Sequence, residues 1–375
     1  MRILLLSAYD AASHRRWRDG LVAQFPEHEW RVLTLPARHF SWRIRGNSLT
    51  WAMSDRGVLE RDYDLLVATS MVDLATLKGL VPKLGGVPSI AYFHENQFAY
   101  PASGRQFDSV DPQIGTLYTA LAADRLAFNS AYNRDTFLRG VEELLAALPD
   151  AVPPGVVDAL KSASVVLPVP LEDSCFVADA RCRADRRALR VVWNHRWEYD
   201  KGPDRLLAVV DRLLERDVEF ELSVLGQSFR EQPPEFATLK ARLDGHPSRL
   251  RRWGHVSDVD AYRRHLQSSD VVLSTAIHDF QGLAILEAVA AGCLPLVPDR
   301  LCYAEWFGPE FRYASHLDDI GREADAVVAA LEEHPAREES GRVPAPRVDY
   351  LAWSELSARY AELMAITVAG QAAKL

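Results

Sequence analysis

Along this chain, short unbroken apolar runs alternate with longer stretches whose apolar residues recur at helical spacing. The runs at Arg2–Ser7, Trp30–Leu35, Leu65–Ala68, Ser89–Phe93, Arg125–Phe128 and Val165–Leu167 each predict a strand. They lack the polar alternation of a half-exposed sheet, so both faces should be covered, as in parallel sheets. The stretch from Ser13 to Phe25 predicts one covering helix. From Leu171 to Arg187 charge is mixed and periodicity fades, which predicts a linker. A second series follows, with strands at Arg190–Trp193, Glu219–Leu225, Asp270–Ser274 and Leu294–Val297 and helices at Asp204–Arg216 and Ile285–Ala291. The pattern predicts an α/β protein of two doubly wound parallel-sheet domains, 1–170 and 188–349, joined by the linker 171–187. The tail, 350–375, has apolar residues at helical spacing from Tyr350 to Val368 and is expected to pack across the domain junction.

Composition narrows the setting. A chain of 375 residues is long for one core, which agrees with two domains. No apolar run approaches the roughly 18 residues that span a bilayer, and the opening run stops at Ser7, too early for a signal-peptide core. A cytoplasmic protein with no membrane partner is expected. The net charge of −9 excludes indiscriminate binding of polyanions over the whole surface, yet leaves room for a local basic strip. Cys175, Cys182, Cys293 and Cys302 form no C-x-x-C pair and are read as plain thiols.

Ligands of doubly wound sheets bind beyond the carboxyl ends of the strands, so the segments that follow strands carry the chemistry. After the Asp270–Ser274 run come Asp279, Gln281, Gly282, Leu283 and, inside a helix, Glu287. A glycine turn into a helix offers free amides to an anion, and a carboxylate there can accept both hydroxyls of a ribose. The other reading is an acidic residue on an ordinary core helix. After Arg190–Trp193 come Arg196 and Lys201, two cations placed to neutralise a diphosphate, or else members of a solvated loop. After Ser89–Phe93 come His94, Glu95, Asn96 and Gln97, a polar cluster that is costly there unless it lines a site. The opening loop carries Ser13 and His14, followed by Arg15, Arg16 and Arg18. Finally, Arg38, Trp42, Arg43 and Arg45 interleave cations with aromatic rings, as a splayed nucleotide requires; an exposed basic loop without a ligand is the alternative.

Arg196, Lys201 and the Asp279…Glu287 element, eight positions apart, resemble the donor site of GT-B retaining glycosyltransferases related to sucrose synthase and bacterial mannosyltransferases. The stretches 33–37, 92–97, 193–201 and 274–292 more narrowly resemble the tRNA-queuosine alpha-mannosyltransferase family, and the similarity runs from Met1 to about Trp353. The resemblance implies a GT-B fold, two Rossmann-like domains facing a cleft. It implies GDP-mannose as nucleotide-sugar donor, the cyclopentene-diol of queuosine at the anticodon wobble position of tRNA as acceptor, retention, and neither metal nor cofactor. It also implies that Arg196 and Lys201 hold the diphosphate, Glu287 the ribose, and the backbone at Gln281, Gly282 and Leu283 the sugar or phosphates, with His94 beside the mannose. Two departures stand out: Asp279 replaces the more common Glu, and Ala11-Ala12 stand where the wider superfamily has glycines.

Two other functions fit parts of this pattern. A transferase acting on a lipid-linked or small-molecule acceptor would keep the donor site, but usually shows a basic-apolar surface helix that is not evident here. A catalytically idle RNA-binding protein would not need Arg196, Lys201 and Glu287 together.

Overall fold

The computed structural model describes residues 1–100, 109–147, 150–176, 188–228, 231–333 and 345–372. These form two units: Met1–Pro170 together with Trp353–Leu375, and Leu171–Ala352.

In the first unit six parallel strands, β1 (Arg2–Ser7), β2 (Glu29–Thr34), β3 (Leu65–Thr69), β4 (Ser89–Phe93), β5 (Arg125–Phe128) and β6 (Ser164–Val166), lie in the order β2-β1-β3-β4-β5-β6. The winding reverses at β1, so the loops after β1 and β3 diverge and leave room for a ligand. Leu4, Leu6, Leu66 and Ala68 share one sheet face and pack with Ile44, Trp51 and Ala52 of the helix Phe40–Ser54. Residues of the opposite register face the helices Ala12–Gln24 and Trp353–Ala372. There Trp17 stacks on Tyr92 at 4.2 Å between ring centroids. The indole N–H of Trp17 donates to the Tyr360 hydroxyl (3.0 Å), which donates in turn to the Pro168 carbonyl (2.9 Å).

The terminal helix belongs to the first unit. Its apolar stripe, Trp353, Leu356, Tyr360, Leu363 and Met364, is buried. The Trp353 ring lies so close to Gly20 that a Cβ there would approach Cζ2 to 2.7 Å. A helical stripe identifies a buried face but not what buries it.

The second unit repeats the architecture with β7 (Leu189–Trp193), β8 (Phe220–Leu225), β9 (Leu250–Gly254), β10 (Val271–Leu273), β11 (Leu294–Pro298) and β12 (Arg312–Tyr313), all parallel, in the order β12-β11-β10-β7-β8-β9. Its winding reverses between β7 and β10. The helix Pro203–Glu215 begins with Pro at its first turn, where no amide donor is missed, and buries Leu206, Val209, Val210 and Leu213 on one face. Each such side chain contributes roughly 1.5–3 kcal/mol.

The first residues of the predicted linker belong to this unit. The Leu171 amide donates to the Leu351 carbonyl at 2.8 Å, and Leu171 pairs with Ala352 in an isolated parallel bridge. Cys175 is buried, as are Cys293 and Cys302, and all three are free thiols. Residues 177–187, with Cys182, lie outside the described residues. Among the described residues no helix is long and apolar enough to cross a membrane.

Candidate functional site

At the switch point of the second unit, the loop after β7 and the loop after β10 are laced together. Gly202 adopts a left-handed conformation (φ +65°), and a Cβ there would sit 2.1 Å from the Thr275 carbonyl oxygen. The Thr275 hydroxyl donates to the Lys201 carbonyl (2.9 Å) and accepts the Trp193 indole N–H (2.9 Å). The Asp200 carbonyl accepts the amides of Ile277 (3.0 Å) and His278 (3.1 Å). Glycine and these crosslinks let Lys201 and Asp279, distant in sequence, occupy one buried spot.

Lys201 is 8% exposed. Its Nζ donates to the His278 carbonyl at 2.7 Å and lies 3.2 Å from Asp200 Oδ2 and 3.8 Å from Asp279 Oδ2. Burial works against its charge, but the Asp279 and Asp200 carboxylates outweigh that and hold its pKa above the ordinary lysine value. Both carboxyls are likewise kept below their usual range: burial opposes their ionisation, and Lys201 overcomes it.

Asp279 Oδ1 accepts the Gly282 amide at 3.1 Å, and Oδ2 accepts the Tyr303 hydroxyl at 3.2 Å. The Tyr303 oxygen is 2.7 Å from Ser274 Oγ, which is 3.1 Å from His195 Nε2. One polarity satisfies this chain: His195 donates to Ser274, Ser274 to Tyr303, and Tyr303 to Asp279. Burial pushes the Tyr303 phenol far above its usual pKa, so it stays a donor. Burial, with Lys201 nearby, lowers His195 to about 4, so its imidazole is neutral. Gly282 (φ +73°) makes the turn into the helix Leu283–Ala290 with the Tyr303 ring 3.0 Å from where a Cβ would stand.

Arg196 and Lys201, both expected at a diphosphate, sit in different surroundings. Lys201 is enclosed, whereas Arg196 is exposed and its Nη2 lies 3.0 Å from Glu198 Oε2. It still acts electrostatically on Lys201 and Asp200. Glu287 is buried one turn inside its helix, and its Oε2 accepts the Tyr262 hydroxyl at 3.2 Å. That hydroxyl accepts from Asn194 Nδ2 (3.0 Å), which also donates to the Ala284 carbonyl (2.8 Å). Gln281 is buried and Leu283 half-buried beside it. The predicted residues of this unit thus converge on one switch point. The sequence reading missed Tyr262, Ser274 and Tyr303, because no spacing rule ties a tyrosine to an acid 24 positions away.

The first unit sorts its predicted residues differently. The opening segment is not a loop as far as His14, because a helix already begins at Ala12. Ser13 is exposed there, and His14 is buried with its ring stacked on His94 at 4.1 Å. Burial, then the neighbouring His14, drives the His94 pKa well below the ordinary imidazole value. His94 Nε2 is sealed from solvent with no hydrogen-bond partner. Asp10 holds Arg15 (3.5 Å) and Arg18 (3.1 Å) in ion pairs.

Asn96 is used internally: its Nδ2 donates to Asn133 Oδ1 (2.9 Å), and its Oδ1 accepts the amides of Phe98 and Ala99. Glu95 is half-buried, its carbonyl accepting the Ser70 hydroxyl (3.1 Å), and Gln97 Nε2 sits 3.7 Å from Met71 Sδ. The predicted loop 38–48 is corrected too. A helix starts at Phe40, Asn47 and Ser48 bond the backbone of Met71 and Asp73, and Arg43 is buried. Arg38, Trp42 and Arg45 remain exposed, Arg45 beside Asp73 at 3.3 Å.

Comparison with known proteins agrees with both halves. Residues 2–171 match the model of the tRNA-queuosine alpha-mannosyltransferase N-terminal region, and residues 188–307 that of glycosyl transferases group 1. A tRNA-queuosine alpha-mannosyltransferase of Drosophila melanogaster is 33% identical over 322 residues, 83% of each chain. Sucrose-phosphate synthase from Thermosynechococcus elongatus superposes with a TM-score of 0.73 at 14% identity, covering 99% of this chain and 100% of its own. Anabaena Alr3699/HepE, solved with UDP and glucose, gives 0.65 at 13% identity, over 97% of this chain and 99% of its own. Those two likenesses establish the fold, GT-B, and the sequence match establishes the lineage: this chain is a hexosyltransferase and belongs to the tRNA-queuosine alpha-mannosyltransferase family.

Proposed function

We propose that the protein transfers a mannosyl group from GDP-mannose to the cyclopentene-diol of queuosine, at the wobble position of a tRNA anticodon, in the cytoplasm, with retention and without a metal. The observation that carries this reading is the reach of the Drosophila match, whose 322 residues are too many to fall within either unit alone.

In this reading the anomeric carbon–oxygen bond to the diphosphate breaks, leaving positive charge on the sugar and an extra negative charge on the leaving group. Lys201 would meet that charge from a fixed, dry position, and Arg196 from the surface side, where it now pairs with Glu198. Glu287, held by Tyr262, would accept the ribose hydroxyls. The acceptor hydroxyl attacks from the face the diphosphate leaves, its proton passing to a diphosphate oxygen. Asp279 as a covalent nucleophile is disfavoured, because Gly282 and Tyr303 occupy its two oxygens and Lys201 lies beside one. His94, kept neutral, suits hydrogen bonding to a sugar hydroxyl.

The test is incubation with GDP-mannose and queuosine-containing tRNA, followed by mass spectrometry of digested nucleosides. A hexose-sized gain on queuosine, absent from tRNA with guanosine at that position, is expected. A gain only with another sugar nucleotide overturns the donor, and no gain with any donor overturns the acceptor.

A further inference from the structure

Arg43 is 8% exposed, and its Nε is sealed from solvent without a hydrogen-bond partner. No carboxylate of a described residue lies within ion-pair distance of it. Its neighbour in sequence differs: Arg45 is exposed and sits 3.3 Å from Asp73. Only Nε is sealed, so the terminal nitrogens reach solvent with no counter-charge beside them, an arrangement suited to an anion arriving from outside.

Three features place and define that anion. Helix side chains lean toward the helix N-terminus, so Arg43, on the first turn of Phe40–Ser54, reaches toward its head. That head has no side-chain cap; the Trp42 and Arg43 amides donate to the His39 carbonyl, which leaves those of Phe40 and Ser41 to favour negative charge. Next to it, the Trp42 ring lies across Gly46, where a Cβ would be 2.4 Å from the ring, and is 54% exposed. An anion site beside an exposed aromatic plate fits a phosphate followed by an unstacked base.

We propose that Arg43 and the head of this helix bind one backbone phosphate of the tRNA, with the adjoining base stacked on Trp42. This rests on the tRNA acceptor proposed above, and assigns the work to Arg43 rather than to the more exposed Arg45.

The test is tRNA binding by the full chain, titrated across a range of salt concentrations, with GDP binding measured in parallel. Arg43→Gln should lower the slope of log K against log salt by about 0.7–0.9, one phosphate contact. Arg43→Lys should retain most of that slope, while Arg45→Gln should leave it unchanged. Trp42→Ala should weaken binding about tenfold or more at unchanged slope. GDP affinity should hold in all four variants, which also reports that they are folded.

An unchanged slope in Arg43→Gln, with tRNA still bound, overturns this site and leaves the acceptor reading intact. If the wild-type chain binds no tRNA but binds anionic phosphatidylglycerol vesicles through Arg43, both readings fall together.

Discussion

Lys201 and Arg196 look equivalent on paper, two cations five positions apart after a strand, but the fold gives them different surroundings. Lys201 is locked between Asp200 and Asp279, so Lys201→Ala should cost about 2–4 kcal/mol of transition-state stabilisation, read as kcat/KM for the donor. Arg196, exposed and screened, should cost less, about tenfold in the same measurement. Near-equal losses would mean that burial does not set their roles. Tyr303→Phe removes the hydroxyl that holds Asp279 and should lower kcat/KM by about 10- to 150-fold, since hydrogen bonds to charged groups contribute roughly 1.5–3 kcal/mol. Lys201, Asp279 and Glu287 could be found in the sequence because each follows an apolar strand run. Tyr303 could not, since it enters the site from a helix that carries no polar signature.

At the scale of elements, the strands were legible wherever they are buried on both faces, since continuous apolar runs have no other economical fate. β9, with Arg251 and Arg252 exposed on the sheet edge, and β12, only two residues long, were not legible. The helix Phe40–Ser54 was hidden because its interior holds glycine, asparagine and serine, poor helix formers that here bond neighbouring backbone instead. The loops at the switch point of the second unit depend on close approach of backbones. A Cβ at Gly226 would stand 1.8 Å from the His195 carbonyl oxygen, nearer even than at Gly202. Gly202→Ala or Gly226→Ala should therefore destabilise by more than about 2 kcal/mol, against a small gain for Gly57→Ala on an open helix surface. Denaturant midpoints compare the three directly, and similar shifts would refute the packing argument.

At the scale of the molecule, each unit holds a buried imidazole whose pKa is pushed down by burial, His94 in the first and His195 in the second. Their folded pKa values lie below the ordinary 6.5, so on acidification the unfolded chain takes up protons first. Stability should fall from near pH 7 towards pH 4, with His195 alone contributing on the order of 3 kcal/mol of that loss. The carboxylates Asp200 and Asp279 act later, their stabilisation disappearing below about pH 4. Thermal midpoints against pH test this: His195→Gln should flatten the limb between pH 7 and 5, and an unchanged limb would refute it. The return of the chain to the first unit was not legible, because contact order leaves no local trace.

That return has a consequence for how the protein is made. Synthesis is vectorial, and the first unit lacks one of its own helices until Trp353–Ala372 has left the ribosome. Between Pro170 and that helix lies the entire second unit, which at about 5–20 residues per second takes roughly 10–40 s to translate. During that interval the faces of Trp17 and Tyr92 that Tyr360 will cover stay open. The half encoded first is thus the half that receives its last helix only after the other has been made.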